Sequence, residues 1–109
     1  MTVESFAKET GFEILAMPAP ALEVDGAYVG DLFSWVMGKA GAGNVWITIM
    51  SNSNIIAVAS LREISSVILA EGVLPDAGVL ALAEQKEINI LRTELSAFDA
   101  ATKIASLIR

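Results

Sequence analysis

The sequence predicts an α/β fold in which a mostly parallel sheet carries helices on both faces. Three observations lead there. From Val45 onward, strand and helix patterns alternate as β-α-β-α-β-α, with connections of about three to six residues, the signature of parallel strands joined by right-handed crossovers. The stretch Val45 to Met50 (VWITIM) is apolar almost throughout, as in a strand covered on both faces. The helical stretch Ile55 to Glu63 is apolar almost all round, as in a buried helix. The unit from Val45 to Pro75 therefore forms the centre: strand, polar loop, buried helix, strand, Gly/Pro turn.

The chain opens with a short helix over Thr2 to Thr10. Thr2 is placed to cap it, Glu4 lies in its first turn, Gly11 suits its stop, and Val3, Phe6 and Ala7 share one face. Phe12 to Met17 (FEILAM) reads as the first strand, ended by Pro18-Ala-Pro20. Glu23 to Val29 holds a short strand or turn around the Asp25-Gly26 dipeptide. Asp31 to Ala40 reads as a helix capped by Asp31, with Leu32, Trp35 and Val36 as its buried face, and Gly41 to Asn44 end it. After the VWITIM strand, Ser51-Asn52-Ser53-Asn54 offers caps for the helix that follows. Ser66 to Ala70 is the next strand, Glu71-Gly72 turns the chain, and Pro75-Asp76 opens a helix from Asp76 to Lys86. Ile88 to Arg92 is the last strand. Ser96 and Asp99 have capping-box spacing ahead of a final helix, Ala97 to Ile108, with apolar face Phe98, Ala101, Ile104, Ala105 and Ile108.

At 109 residues the chain reads as one domain with one core. Its apolar fraction is 54% and its charged fraction 18%, which argues against disorder and leaves few polar residues to cover a small monomer. That surplus predicts a partner for some apolar surface, most simply a second copy in a homodimer. The net charge is −6 and the seven Lys and Arg are dispersed, which argues against binding to nucleic acid or to anionic membrane surfaces. There is no Cys and no His, so disulfide, thiolate, Ser-His-Asp, Cys-His and His-metal chemistry are excluded. No apolar run reaches membrane-spanning length, and the N-terminus does not read as a signal peptide. The expectation is a protein of the reducing cytoplasm.

Ligands of open parallel sheets bind beyond the carboxyl ends of the strands. The loops there are Asp25 to Asp31, Ser51 to Asn54, Glu71 to Asp76 and Thr93 to Ser96. Ser51, Asn52, Ser53 and Asn54 can present hydroxyls, amides and helix N-terminal N–H groups to a phosphate or carboxylate, although capping alone explains such residues at a helix start. Glu71 and Gly72 complete this edge. Gly38-Lys39 lacks the first Gly and the Ser/Thr of a phosphate-binding loop, and Gly41-Ala42-Gly43 precedes a strand instead of following one, so both read as helix stops. Asp25, Asp31, Glu71 and Asp76 are candidates for a hard cation or acid/base work, but helix starts and a turn account for all but Glu71. Arg62-Glu63 reads as the solvated end of the buried helix. No residues are assigned as catalytic or as metal ligands, and no cofactor is expected.

From Gly26 to the C-terminus, about three quarters of the chain, the sequence resembles the DRTGG domain family, especially its short stand-alone members. The resemblance is carried by residues 26–37 (GAYVGDLFSWVM), 45–49 (VWITI), 54–59 (NIIAVA) and 67–75 (VILAEGVLP). It implies a three-layer α/β/α module similar to the N-terminal domain of HPr kinase/phosphorylase, without that enzyme's kinase site. It further implies a regulatory or assembly role, often with self-association, and for stand-alone members a link to the hydrogenase and redox metabolism of anaerobes. A larger protein partner is consistent with this. The family's name-giving motif is degenerate: Ser51 to Asn54 stand where its Asp-Arg pair is expected, and Ala70-Glu71-Gly72 where its Thr-Gly-Gly is expected. The reading is a non-catalytic regulatory or interaction module, with Trp35 and Phe98 as contact candidates. The alternative is a sensor of a nucleotide or other anion at Ser51 to Asn54 and Glu71-Gly72.

Overall fold

The structure, a computed structural model, describes residues 1–108. Its elements run α1 (Val3–Thr10), β1 (Glu13–Ala16), β2 (Ala27–Val29), α2 (Phe33–Lys39), β3 (Val45–Thr48), α3 (Asn54–Leu61), β4 (Ser66–Leu69), α4 (Val79–Lys86), β5 (Ile90–Arg92) and α5 (Ala97–Ile108). The strands form one sheet in the order β1-β5-β4-β3-β2. β2, β3, β4 and β5 are parallel, and β1 joins β5 antiparallel. The expected α/β fold, mostly parallel with helices on both faces, is the observed one.

The chain steps from β2 to β3, β4 and β5 always in one direction across the sheet. Crossovers of one hand then put α2, α3 and α4 on the same face. Their buried residues Val36, Ile55, Ile56, Ala59, Val79 and Ala83 pack on Trp46, Val67, Leu69 and Ile90 of the strands. The opposite face holds α1 and α5. There Phe6, Ala7, Ala100 and Ile104 cover Val45, Ile47, Ile68 and Leu91. Every residue of β3 and β4 is buried, which is why these strands read as continuous apolar runs.

Several local devices match the sequence reading. The Thr2 hydroxyl accepts the Ser5 N–H at 3.2 Å, and Gly11 ends α1 at φ 74°. The Ser96 hydroxyl accepts the Asp99 N–H at 3.0 Å at the start of α5. Others differ. Asp31 does not cap α2; the cap position is Leu32, with no side-chain bond. The Asp31 carboxylate instead accepts the Thr48 hydroxyl at 2.8 Å and the Ile49 N–H at 3.0 Å, tying the β2–α2 loop to the end of β3. Of the expected buried face of α2, only Val36 is buried; Leu32 is 60% and Trp35 58% exposed. Phe33 takes the core position, edge-on to Trp46 at 6.0 Å. Helix α4 starts three residues later than expected, because Gly78 at φ 86° stands at its cap, and Asp76 lies in the preceding loop. Arg62 is not a solvated end. Its Nε and Nη2 donate to the Ala40 carbonyl at 3.2 and 2.7 Å and so satisfy the C-terminus of α2.

Candidate functional site

The strand order locates the one place where a ligand crevice is expected. A crevice opens where loops from adjacent strands leave for opposite faces. Here the loop after β4 leads to α4 on one face, and the loop after β5 leads to α5 on the other. The switch point therefore lies between the carboxyl ends of β4 and β5. Glu71 and Gly72 stand there.

The molecule fills this crevice with its own groups. Glu71 and Gly72 both have positive φ, 59° and 70°, so the chain reverses tightly from Ala70 to Val73. The Glu71 N–H donates to the Leu95 carbonyl at 2.8 Å, and the Gly72 N–H to the Thr93 carbonyl at 2.9 Å. Arg92, the last residue of β5, reaches across the turn. Its Nε donates to the carbonyls of Gly72 and Val73, both at 3.2 Å, and its Nη2 to the Gly72 carbonyl at 2.7 Å. The same guanidinium pairs with Glu13 of β1 at 2.8 Å and with Glu94 at 3.0 Å. The hydrogen bond to Glu13 holds the Arg92 guanidinium above its ordinary pKa, with the nearby Glu94 charge adding to it against partial desolvation. The left-handed φ of Gly72 favours glycine, and a Cβ there would displace the exposed end of the Glu94 side chain. Glu71 is exposed and holds a left-handed conformation uncommon for glutamate.

The second half of the predicted edge lies beside this, after β3. The Ser51 hydroxyl donates to Asp76 at 2.9 Å, and the Asp76 N–H returns a bond to the Ser51 carbonyl at 2.9 Å. The loops after β3 and β4 are thereby clasped together. Asn52 accepts the Asn54 N–H through its side chain at 2.9 Å, and Ser53 holds the cap position of α3 without a side-chain bond. The N–H groups of Ile55 and Ile56 are taken by the carbonyls of Asn52 and Ser53. Ser53 and Asn54 also border an open groove of about 420 Å³ between α3 and α4, with Lys86 among its lining residues. Ser51 to Asn54 and Glu71-Gly72 thus occupy adjacent strand ends, and several of their polar groups are already bonded, Ser51 to Asp76, the Glu71 and Gly72 N–H groups to Leu95 and Thr93, and the Gly72 carbonyl to Arg92. The carboxylates weighed for a cation are dispersed. Asp31 serves Thr48 and Asp76 serves Ser51, and no group of three Asp, Glu, Cys or His able to hold a metal occurs among the described residues.

Sequence reasoning missed Arg92, because Glu13 lies 79 residues away in the chain and Gly72 lies 20. A lone arginine at a strand end carries no local signal of such partners. Sequence reasoning named Trp35 and Phe98 as surface positions but did not locate the exposed apolar residues on the β2 side of the sheet. Val29, Leu32, Trp35, Ile49 and Phe98 are all exposed. Val29 ends the edge strand β2, Leu32 and Trp35 begin α2, Ile49 follows β3, and Phe98 begins α5, which packs beside β2 and β3. Between β2 and α5 runs an apolar groove of about 360 Å³, lined by Ala27, Val29, Ile47, Ala101 and Ala105 among others. No helix among the described residues is long and apolar enough to cross a membrane.

Comparison with known proteins gives the following. Residues 32–107 match the family model described as DRTGG domain. No curated protein sequence is matched. Among solved structures, the chain is similar to the CBS and DRTGG domains of the regulatory region of Clostridium perfringens pyrophosphatase, a structure complexed with the activator diadenosine tetraphosphate. The TM-score is 0.75 and the identity 16%, over 94% of this chain and 45% of that one. The chain therefore spans less than half the length of that regulatory region, and the likeness is one of fold.

Proposed function

The chain belongs to the DRTGG domain family, and on that premise we propose that it is a non-catalytic regulatory and protein-interaction module that works as a homodimer. The observation that carries this reading is the apolar surface around the β2 edge. Five large apolar side chains there are each about half exposed or more. At roughly 200 Å² for a large apolar side chain, they expose on the order of 500–600 Å² together. The largest contiguous apolar patch on an ordinary monomer is about 300–600 Å²; here the area is divided between the two faces that meet at the β2 edge. It is also a large part of the ~800 Å² that each partner contributes to a stable interface. Trp35 and Phe98, the exposed aromatics, lie within it at 58% and 78% exposure. The absence of His and Cys, and the use of the Asp31 and Asp76 carboxylates to bond Thr48 and Ser51, support a role without catalysis. A larger protein partner, a cytoplasmic setting and a connection to hydrogenase or redox metabolism belong to the same reading and rest on the family resemblance. Replacing Trp35 and Phe98 by Ser tests it. Light scattering on the pair of variants should give monomers where the natural chain gives a dimer; an unchanged mass would remove this surface from the account.

One observation favours a second reading, a sensor of a nucleotide or other anion. The solved regulatory region with this fold is complexed with diadenosine tetraphosphate. In this chain the ligand would sit at the strand ends formed by Ser51, Asn52, Ser53, Asn54, Glu71 and Gly72. Arg92 would have to exchange Glu94 or Glu13 for it. A ligand at 100 times its Kd would raise stability by about 2.7 kcal/mol. A thermal-shift series of nucleotides and phosphometabolites with no movement would count against this reading.

A further inference from the structure

We propose that the self-association of this chain runs through the open edge of β2, which pairs antiparallel with β2 of a second copy and joins two five-stranded sheets into one. This rests on the homodimer reading and specifies its geometry.

The backbone of β2 carries the argument. Alternate residues of a parallel strand direct both their N–H and C=O groups to the same neighbour. The Gly26 carbonyl accepts the Val45 N–H at 3.1 Å, and the Gly30 N–H donates to the Ile47 carbonyl at 3.1 Å. Gly26, Tyr28 and Gly30 therefore face β3, and Ala27 and Val29 direct their N–H and C=O groups to the open edge. Those four groups lie symmetrically about Tyr28. When two copies meet around a two-fold axis at Tyr28, Ala27 of each exchanges both bonds with Val29 of the other. All eight outward groups are then paired, and no register shift satisfies as many.

The two edges of the sheet differ in protection. β1 has an irregular register between Ile14 and Ala16, carries Glu13, and is followed by Pro18 and Pro20, the features that block edge pairing. The segment Gly26-Ala-Tyr-Val-Gly30 has no charge, no proline and no bulge. Charge at the strand itself allows a second copy of this −6 chain to approach, because residues 26–30 are uncharged; Asp25 of each copy falls opposite Asp31 of the other, whose carboxylate is turned inward to Thr48 and Ile49. Area points the same way, because the apolar side chains flanking the strand supply most of what a stable interface needs. The two-fold axis keeps the faces of the joined sheet in register. Phe98 of both copies then flanks the seam on one face, and Trp35 of both on the other.

The chain has no Cys, so one introduced thiol reports without ambiguity. In the proposed register the two Tyr28 residues form the central pair, with Cα atoms about 4.5 Å apart, within disulfide range. Mild oxidation of Tyr28→Cys should give a covalent dimer, and Leu61→Cys, exposed on the outer helix α3, should not. Val29→Pro removes an outward N–H without touching the β3 ladder and should convert the dimer to a folded monomer, with folding followed by circular dichroism. Natural chain that sediments as a monomer removes both the dimer and its geometry. A natural dimer whose Tyr28→Cys variant does not cross-link, or whose folded Val29→Pro variant stays dimeric, overturns the β2 edge and leaves self-association standing. If Val29→Pro does not fold, the cross-link alone decides.

Discussion

Replacing Asn89 by Ala should be among the most damaging single changes in the molecule. Asn89 is fully buried just before β5. Its side chain accepts the Ala19 N–H at 2.9 Å and donates to the carbonyls of Ala19 at 2.8 Å and Ser65 at 2.9 Å. One carboxamide thus imitates a ladder partner for the Pro18 to Pro20 segment, where proline has removed backbone donors. Alanine leaves three backbone groups without their partner, one of them on the buried Ser65. At a net ~1 kcal/mol for each lost bond, the cost is about 3 kcal/mol. For a domain of this size that lowers Tm by roughly 12–15 °C. Urea unfolding followed by far-UV circular dichroism measures it, with an unchanged m-value confirming that the native state is intact. Ser65→Ala serves as the control. It removes one bond, from the Ser65 hydroxyl to the Asn44 carbonyl at 3.0 Å, and should cost about 1 kcal/mol. If Asn89→Ala costs no more than this control, the clamp assigned to Asn89 is wrong.

Other consequences can be measured in the same way. Glu87, at φ 59° past the end of α4, is strained for a non-glycine residue, so Glu87→Gly should raise stability by roughly 0.5–1 kcal/mol in urea melts. Gly72→Ala should lower it by about 1–2 kcal/mol, because its backbone is left-handed. Asp31→Ala loses the bonds from Thr48 and Ile49 and should cost about 2 kcal/mol; a neutral result would show that these bonds do not stabilise the fold. Phe98→Ser should leave the melting of the monomer almost unchanged and weaken the dimer at least tenfold, read from dilution series in sedimentation velocity.

The legible part of this fold is the part written in local pattern. The Thr2 cap, the Gly11 stop and the Ser96–Asp99 spacing are contacts within one turn, and the structure contains them. β3 and β4 are legible because burial on both faces leaves no polar position to alternate. Asp31 and Asp76 were misread because an acidic residue ahead of a helix looks the same whether it caps the helix or bonds to another loop. Arg62 was misread and Arg92 missed because their partners are distant in sequence: Arg62 meets Ala40 across 22 residues and Arg92 meets Glu13 across 79. Periodicity marked Leu32 and Trp35 as apolar positions of α2, but it does not say whether the cover comes from the same chain. For the candidate edge, the loops were legible, and the clasp that joins Ser51 to Asp76 and Arg92 to Gly72 was not.

The most direct test of the account is the mass of the natural chain in solution. Sedimentation equilibrium from about 1 to 100 μM separates the 11.5 kDa chain from a pair of roughly 23 kDa. A self-associating regulatory module built on the β2 edge predicts the pair across the upper part of that range. A single species at the mass of one chain throughout would contradict it.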